Sequence, residues 1–140
     1  MDATLTPPAT DLTARNAELL REGYQAFARG DMPALAALFS PDAVWHVQRL
    51  GQLSGDHVGF PAILGFFGRS MELTQGTFRV ETIEVLSNDD GAAAVVRSRG
   101  LRAGIALDDR QIHHFRVRDG RVTEVWQYVG DAEATQRFWG

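Results

Sequence analysis

The sequence contains no cysteine and no lysine. Without cysteine there is no disulfide, no thiol nucleophile and no cysteine-ligated zinc. Without lysine there is no amine for Schiff-base chemistry, and all 14 basic side chains are arginine. Apolar runs are short. None approaches the roughly 20 residues needed to cross a bilayer, so no membrane partner is expected. The formal net charge is −4 and the arginines form no dense cluster, which argues against a nucleic-acid partner. The opening residues, MDATLTPPATD, have neither the charged nor the apolar region of a secretion signal, which predicts a cytoplasmic protein. An internal repeat, a glycine-rich phosphate loop and a Ser-His-Asp arrangement are also missing. His46, His113 and Asp42 are not spaced so as to demand a metal, and no metal or other cofactor is expected.

What remains is an ordinary soluble composition. The chain has 140 residues, 44% hydrophobic and 23% charged, enough for one domain with one core. Residues 1–12 read as a mobile arm and 13–140 as the domain. From Leu12 to Ala28, Leu19, Leu20, Gly23, Tyr24 and Phe27 recur at helical spacing. Gly30 ends that helix, Asp31 caps a second one over Met32–Phe39, and a third begins near Pro61. After Gly76 the period changes to that of strands: Phe78–Leu86, Ala92–Leu101, Gln111–Arg118 and Val122–Val129. Asn88-Asp89-Asp90-Gly91 and Asp119-Gly120 are tight turns, and Arg102-Ala103-Gly104 a looser one. A short strand precedes the third helix at Ala43–Val47, and Asp131 caps a last short helix. Helices followed by a meander of long antiparallel strands is an α+β layout. A curved antiparallel sheet wrapped around the N-terminal helices makes a cone, an α+β barrel of cystatin-like layout. Its apolar interior is a natural small-molecule site.

The segments YQAFARGDMPALAALFSPDAVWHV (Tyr24 to Val47), GFPAILGFFG (Gly59 to Gly68), HHFRVRDGRVTEVWQY (His113 to Tyr128) and the terminal GD and FWG carry a resemblance. In this order they resemble the nuclear transport factor 2-like superfamily, in the branch of SnoaL-type polyketide cyclases and ketosteroid isomerase-like proteins. The resemblance covers nearly all of the chain after Thr13. It implies the cone, a hydrophobic ligand, and a homodimer through sheet faces. It does not fix a reaction, because the superfamily hosts several enzymes and non-enzymatic binders. The steroid-isomerase residues are absent as a set. Val47 stands at the position of their Asp base, Gly23 at that of their Tyr donor, and His113 at that of their protonated Asp. Relatives with a Trp-His pair usually continue with Pro-Gly. Here Val47-Gln48-Arg49-Leu50-Gly51 follows, which predicts a reshaped lip.

Strand alternation puts His113 on one face with Phe115 and Val117, and His114 on the other with Ile112, Arg116 and Arg118. The apolar set should face the cone, which makes His113 the candidate acid/base. For His46 the alternation does not decide, since Val44 shares its face and Val47 shares that of Trp45. The resemblance puts Trp45 and Val47 inside. His46 is then either an assisting catalyst or a structural anchor on the outer layer. Tyr24, on the apolar face of the first helix, is a pocket hydrogen-bond donor or plain core. Asp42 is a turn cap or an orienter of a nearby histidine. Trp45, Val47, Phe66, Phe67, Met71, Phe115 and Trp126 are candidate walls, with Gln127 among them and Ser98 as a small residue widening the cone. Arg97 and Arg99 should point out. Trp126 and Tyr128, if they face outwards, make a surface too apolar to stay wet.

The leading expectation is a cofactor-independent enzyme acting on a small hydrophobic substrate by isomerisation, cyclisation, dehydration or epoxide opening. A protein that binds such a metabolite without turning it over is the second. A dimeric module whose cone is filled by its own side chains is the third.

Overall fold

The computed structural model describes residues 9–140, with side chains from Asp11 onward. The order is α1 (Ala9–Arg29), α2 (Met32–Leu38), β1 (Phe39–Val47), β2 (Gly55–Val58), α3 (Phe60–Leu73), β3 (Arg79–Asn88), β4 (Gly91–Arg102), β5 (Ile105–Arg118), β6 (Arg121–Tyr128) and α4 (Ala132–Trp139). The six strands form one curved, unclosed sheet in the order β2-β1-β6-β5-β4-β3. Every neighbouring pair is antiparallel except β1 and β6, which run parallel. The α+β cone read from the sequence is the observed class. No helix among the described residues is long and apolar enough to cross a membrane.

The helix boundaries follow local chemistry. Asp31 and Asp131 each accept a hydrogen bond from the backbone N–H three residues on, at Ala34 and Ala134, and so start α2 and α4. Gly30 takes a left-handed φ of 68°, which stops α1. Asn16 of α1 donates to the carbonyls of Asn88 and Asp89 in the β3–β4 turn, which ties the first helix to the sheet.

Three parts of the chain differ from expectation. Of the arm expected over 1–12, residues 1–8 lie outside the described residues, while Ala9 onward is helical. The turn at Ala103-Gly104 is tight, with φ of 51° and 79°. Alanine rarely adopts that conformation, so the turn read at Arg102-Ala103-Gly104 looked looser than it is. As a result β5 starts at Ile105, six residues before the expected Gln111. The lip after β1 holds a short 3-10 turn at Gly51–Leu53, which buries Leu50 and Leu53, and the short edge strand β2 follows it.

The C-terminal helix α4 closes one end of the cone. Thr135 donates its hydroxyl to the Arg49 carbonyl, Gln52 donates to the Trp139 carbonyl and Arg102 to the Phe138 carbonyl. The connection from β6 into α4 docks on β5. The backbone N–H groups of Gly130 and Asp131 donate to the Asp109 carboxylate at 3.0 and 2.8 Å. A Cβ at position 130 would overlap the Arg110 carbonyl oxygen and crowd Asp109. The Gly130→Ala variant should therefore lose about 1–3 kcal/mol of stability, read from urea unfolding, because the β6–α4 link must move off β5.

Candidate active site in the cone

The inner face of β5 is set by strict alternation. Leu107, Asp109, Gln111, His113, Phe115 and Val117 are buried, and the residues between them are exposed. Of these, Leu107, Gln111, His113 and Phe115 meet the inner face of α1 and the Phe66, Phe67 and Ser70 face of α3 across an open cavity. The cavity has a volume of about 70 Å³. The walls are mostly aliphatic and aromatic, and the cone is not filled by its own side chains. An open cavity counts against the third expectation, a cone filled by its own side chains.

One polar cluster sits in this wall. The Tyr24 hydroxyl lies 2.6 Å from Nδ1 of His113, with the two rings stacked at 6.0 Å. Trp45 and Phe115 meet the His113 ring edge-on. His113 is 4% exposed, and burial lowers its pKa from 6.5 to about 3, because an imidazolium here would be stripped of water. The same burial pushes the Tyr24 phenol well above its ordinary value. Both groups are neutral near pH 7.

The location of the shared proton follows from the neighbouring amides. The Trp45 indole N–H, a donor only, reaches Gln127 Oε1 at 2.9 Å. Gln127 Nε2 donates to Gln111 Oε1 at 2.8 Å, and Gln111 Nε2 donates to the Asp109 carboxylate at 3.0 Å. A donor-only group at one end and an acceptor-only group at the other fix both amides. Gln111 Oε1 therefore faces His113 Nε2, 3.4 Å away, and that nitrogen carries the hydrogen. Nδ1 is left as the acceptor, and Tyr24 donates to it.

Of the expected site residues, Tyr24, Trp45, Phe66, Phe67, Ser98, His113, Phe115 and Gln127 all line the cavity. The others do not. His46 points to the outer face of the sheet, since its neighbours Trp45 and Val47 take the inner one. There Nδ1 lies 2.8 Å from Asp56 and Nε2 2.6 Å from Glu124, so both ring nitrogens carry hydrogens toward carboxylates. Partial burial works against its charge, but the two carboxylates outweigh that and its pKa is raised. Trp126 alternates outward between Val125 and Gln127, stacks on His46 and His114, and has the Arg116 guanidinium 5.2 Å above its ring. Asp42 is exposed in the irregular first half of β1 and orients no histidine. Met71 follows Ser70 on α3 and turns away from the cavity, because the helix face toward the cone is Phe66, Phe67 and Ser70. Val47 points inward but packs in the core away from the cavity wall.

Three polar residues were missed: Asp109, Gln111 and Trp139. The parity that placed His113 inside also places Gln111 and Asp109 there, so the signal existed once the strand was extended backwards. Trp139 had no such signal. Among the described residues no group of three or more His, Asp and Glu is placed to hold a metal ion.

The profile of the SnoaL-like domain family matches residues 20–125. The chain belongs to this family. Its fold is that of nuclear transport factor 2-like proteins, one of which, from Burkholderia xenovorans, superimposes with a TM-score of 0.79 at 21% identity, over 91% of this chain and 98% of its own. An uncharacterized protein of Mycobacterium tuberculosis is 37% identical over 123 residues, covering 87% of this chain and 94% of that one. Bal32a, from a soil-derived mobile gene cassette, superimposes with a TM-score of 0.89 at 37% identity, over 92% of this chain and 99% of its own. IdmH of Streptomyces antibioticus, a candidate polyketide cyclase, shares the fold with a TM-score of 0.69 at 22% identity, over 81% and 91% of the two chains.

Two of the four histidines of this SnoaL-like domain, His113 and His46, should leave opposite marks on stability against pH. His113 has a depressed folded pKa, so the unfolded chain binds its proton first. Stability falls as pH drops from 6.5 toward about 3, by up to about 1.4 kcal/mol per pH unit, and His113→Gln should lack that component in urea unfolding at stepped pH. His46 has a raised folded pKa, so its stabilisation is full below 6.5 and is lost as pH rises through the folded value. The His46→Gln variant should cost more at pH 6 than at pH 8.

Proposed function

We propose that this SnoaL-like protein is a cofactor-independent enzyme acting by proton transfer on a small hydrophobic substrate of polyketide-, steroid- or terpenoid-like character. The observation that carries this reading is the short Tyr24–His113 hydrogen bond in the wall of an otherwise apolar, open cavity. A substrate proton is taken by the Tyr24 oxygen while the Tyr24 proton passes to Nδ1 of His113. The pair then consists of a substrate oxyanion or enolate and an imidazolium. Returning the proton to another carbon gives isomerisation, and returning it to a leaving hydroxyl gives dehydration. An enolate that attacks a carbonyl of the same molecule gives cyclisation. Apolar walls make each charge–dipole contact stronger than it would be in water. They also make the imidazolium costly, so it exists only transiently.

That cost supports a second reading. A histidine with a pKa of about 3 is a weak base, and none of the residues lining the cavity is a carboxylate. A protein that binds a hydrophobic metabolite without turning it over meets both facts.

Exchange of α-protons in D2O, followed by NMR on a bicyclic ketone such as 2-tetralone, separates the two. An enzyme accelerates exchange, and Tyr24→Phe or His113→Gln lowers the rate about 10²–10⁴-fold. The base form of His113 is present above about pH 3, so the rate should be flat from pH 5 to 8, with no loss near the ordinary histidine value. Binding without acceleration leaves the carrier. A ketone that neither binds nor exchanges counts against both.

We further propose a cytoplasmic homodimer built on the outer face of the sheet. Leu86, Ile112 and Tyr128 are exposed there, in cross-strand rows with Val95, Ala93 and Trp126. Two of the nearby arginines pair within the chain, Arg97 with Asp108 and Arg99 with Glu81. An exposed apolar patch of this kind suits a second copy of itself. Light scattering should give twice the chain mass, and Ile112→Glu should return the monomer. A monomeric wild type at working concentration overturns the dimer.

A further inference from the structure

The cavity wall carries no full charge. Among the described residues it contains no Asp, Glu or Arg, and the chain has no Lys. Its titratable groups, Tyr24 on α1 and His113 on β5, are both neutral near pH 7. The other polar side chains of the wall are Ser70, Ser98, Gln111 and Gln127, with the indoles of Trp45 and Trp139. Several already have partners in the protein. Ser70 donates to the Phe67 carbonyl, and the two amides are bonded to each other, to Trp45 and to Asp109.

An anion entering this cavity loses its water and meets no counter-ion. Burying an ionised carboxylate without a partner is strongly unfavourable, and such a group takes up a proton instead. The buried charge that reaches the wall has the wrong sign to help. Asp109, 6% exposed, accepts from Gln111 and from the backbone N–H groups of Gly130 and Asp131. Its field opposes a second carboxylate close by. His113 could neutralise an anion only by becoming an imidazolium. That step also adds one proton to the complex and leaves its sum uncharged.

We propose that the cavity selects its ligand against negative charge: ketones, esters, alcohols and un-ionised phenols on an apolar ring enter, and a carboxylic acid enters only together with its proton. This rests on the small-molecule reading of the cavity and adds the charge state of the ligand. It agrees with the proton-transfer steps, in which an enolate forms only together with the His113 imidazolium. The cavity and its contents then stay neutral as a whole.

Three compounds with the same group at both ends of one ring test it: 1,4-diacetylbenzene, terephthalate and dimethyl terephthalate. Whichever end goes in first, the group under test goes with it. A methyl of the diketone and an oxygen of the dianion fill nearly the same space, and the diester restores neutrality to the acid. Binding to the wild type is read from NMR shifts of the wall residues, Trp45 among them. At pH 7 the diketone and the diester should bind, and terephthalate should bind at least about 10²-fold more weakly than the diketone. The affinity of the diketone should be flat from pH 5 to 8, because His113, with its pKa of about 3, brings no charge into the wall over that range. A smaller gap between diketone and dianion overturns the proposal, as does a diketone affinity that changes through the ordinary histidine value. Loss of the diester together with the dianion traces the discrimination to shape and overturns it too. Each of these outcomes leaves the cavity as a small-molecule site. Failure of all three to bind removes that site and the proposal with it.

Discussion

The Asp109 carboxylate is the contact on which most of the interior depends. It is 6% exposed and faces inward from β5. It accepts two backbone N–H groups from the β6–α4 connection and one from the Gln111 amide. A buried carboxylate needs such donors, since leaving it unpaired costs several kcal/mol. The same bonds serve two ends. They dock the C-terminal segment, whose Trp139 walls one end of the cavity, and they orient the amide chain that assigns the His113 tautomer. A fold contact and a chemical setting are thus one hydrogen-bond cluster.

The sheet gives its two faces different electrostatics from similar residues. His113 on β5 and His46 on β1 lie two strands apart in the six-stranded sheet, with β6 between them. His113, desolvated among aromatic rings, is held neutral. For His46, between two carboxylates near solvent, the charged form is favoured and the pKa raised. Environment decides which role each imidazole can take. The inner one can exchange a proton with Tyr24. The outer one is occupied on both nitrogens and anchors β1 to β2 and β6.

Membership in the SnoaL-like family gives the cone but leaves the chemistry to the side chains lining it. Here those side chains include no carboxylate, and their titratable pair is Tyr24 with His113. The lip formed by Leu50 and Leu53 and the closure by α4 narrow the interior.

The sequence by itself determined the α+β class, the helices, most of the strands and the inward face of β5. Those follow from periodicity and from caps such as Asp31 and Asp131, which act over a few residues. His113, Tyr24 and the aromatic wall were legible for the same reason. The tertiary structure decided the rest. Alternation along β1 is symmetric in polarity, so it leaves the face of His46 open; the resemblance put Trp45 and Val47 inside, and the burial along β1 agrees, with His46 facing out. Asp109 broke the rule that the inner face is apolar, and its partners come from residues about 20 positions later in the chain. The direction of the Tyr24–His113 hydrogen bond depends on a relay through Gln111 and Gln127, and the place of Trp139 in the cavity wall depends on where α4 docks. Local pattern fixes which face a side chain takes. What that side chain meets there depends on contacts between distant segments, which no local pattern encodes.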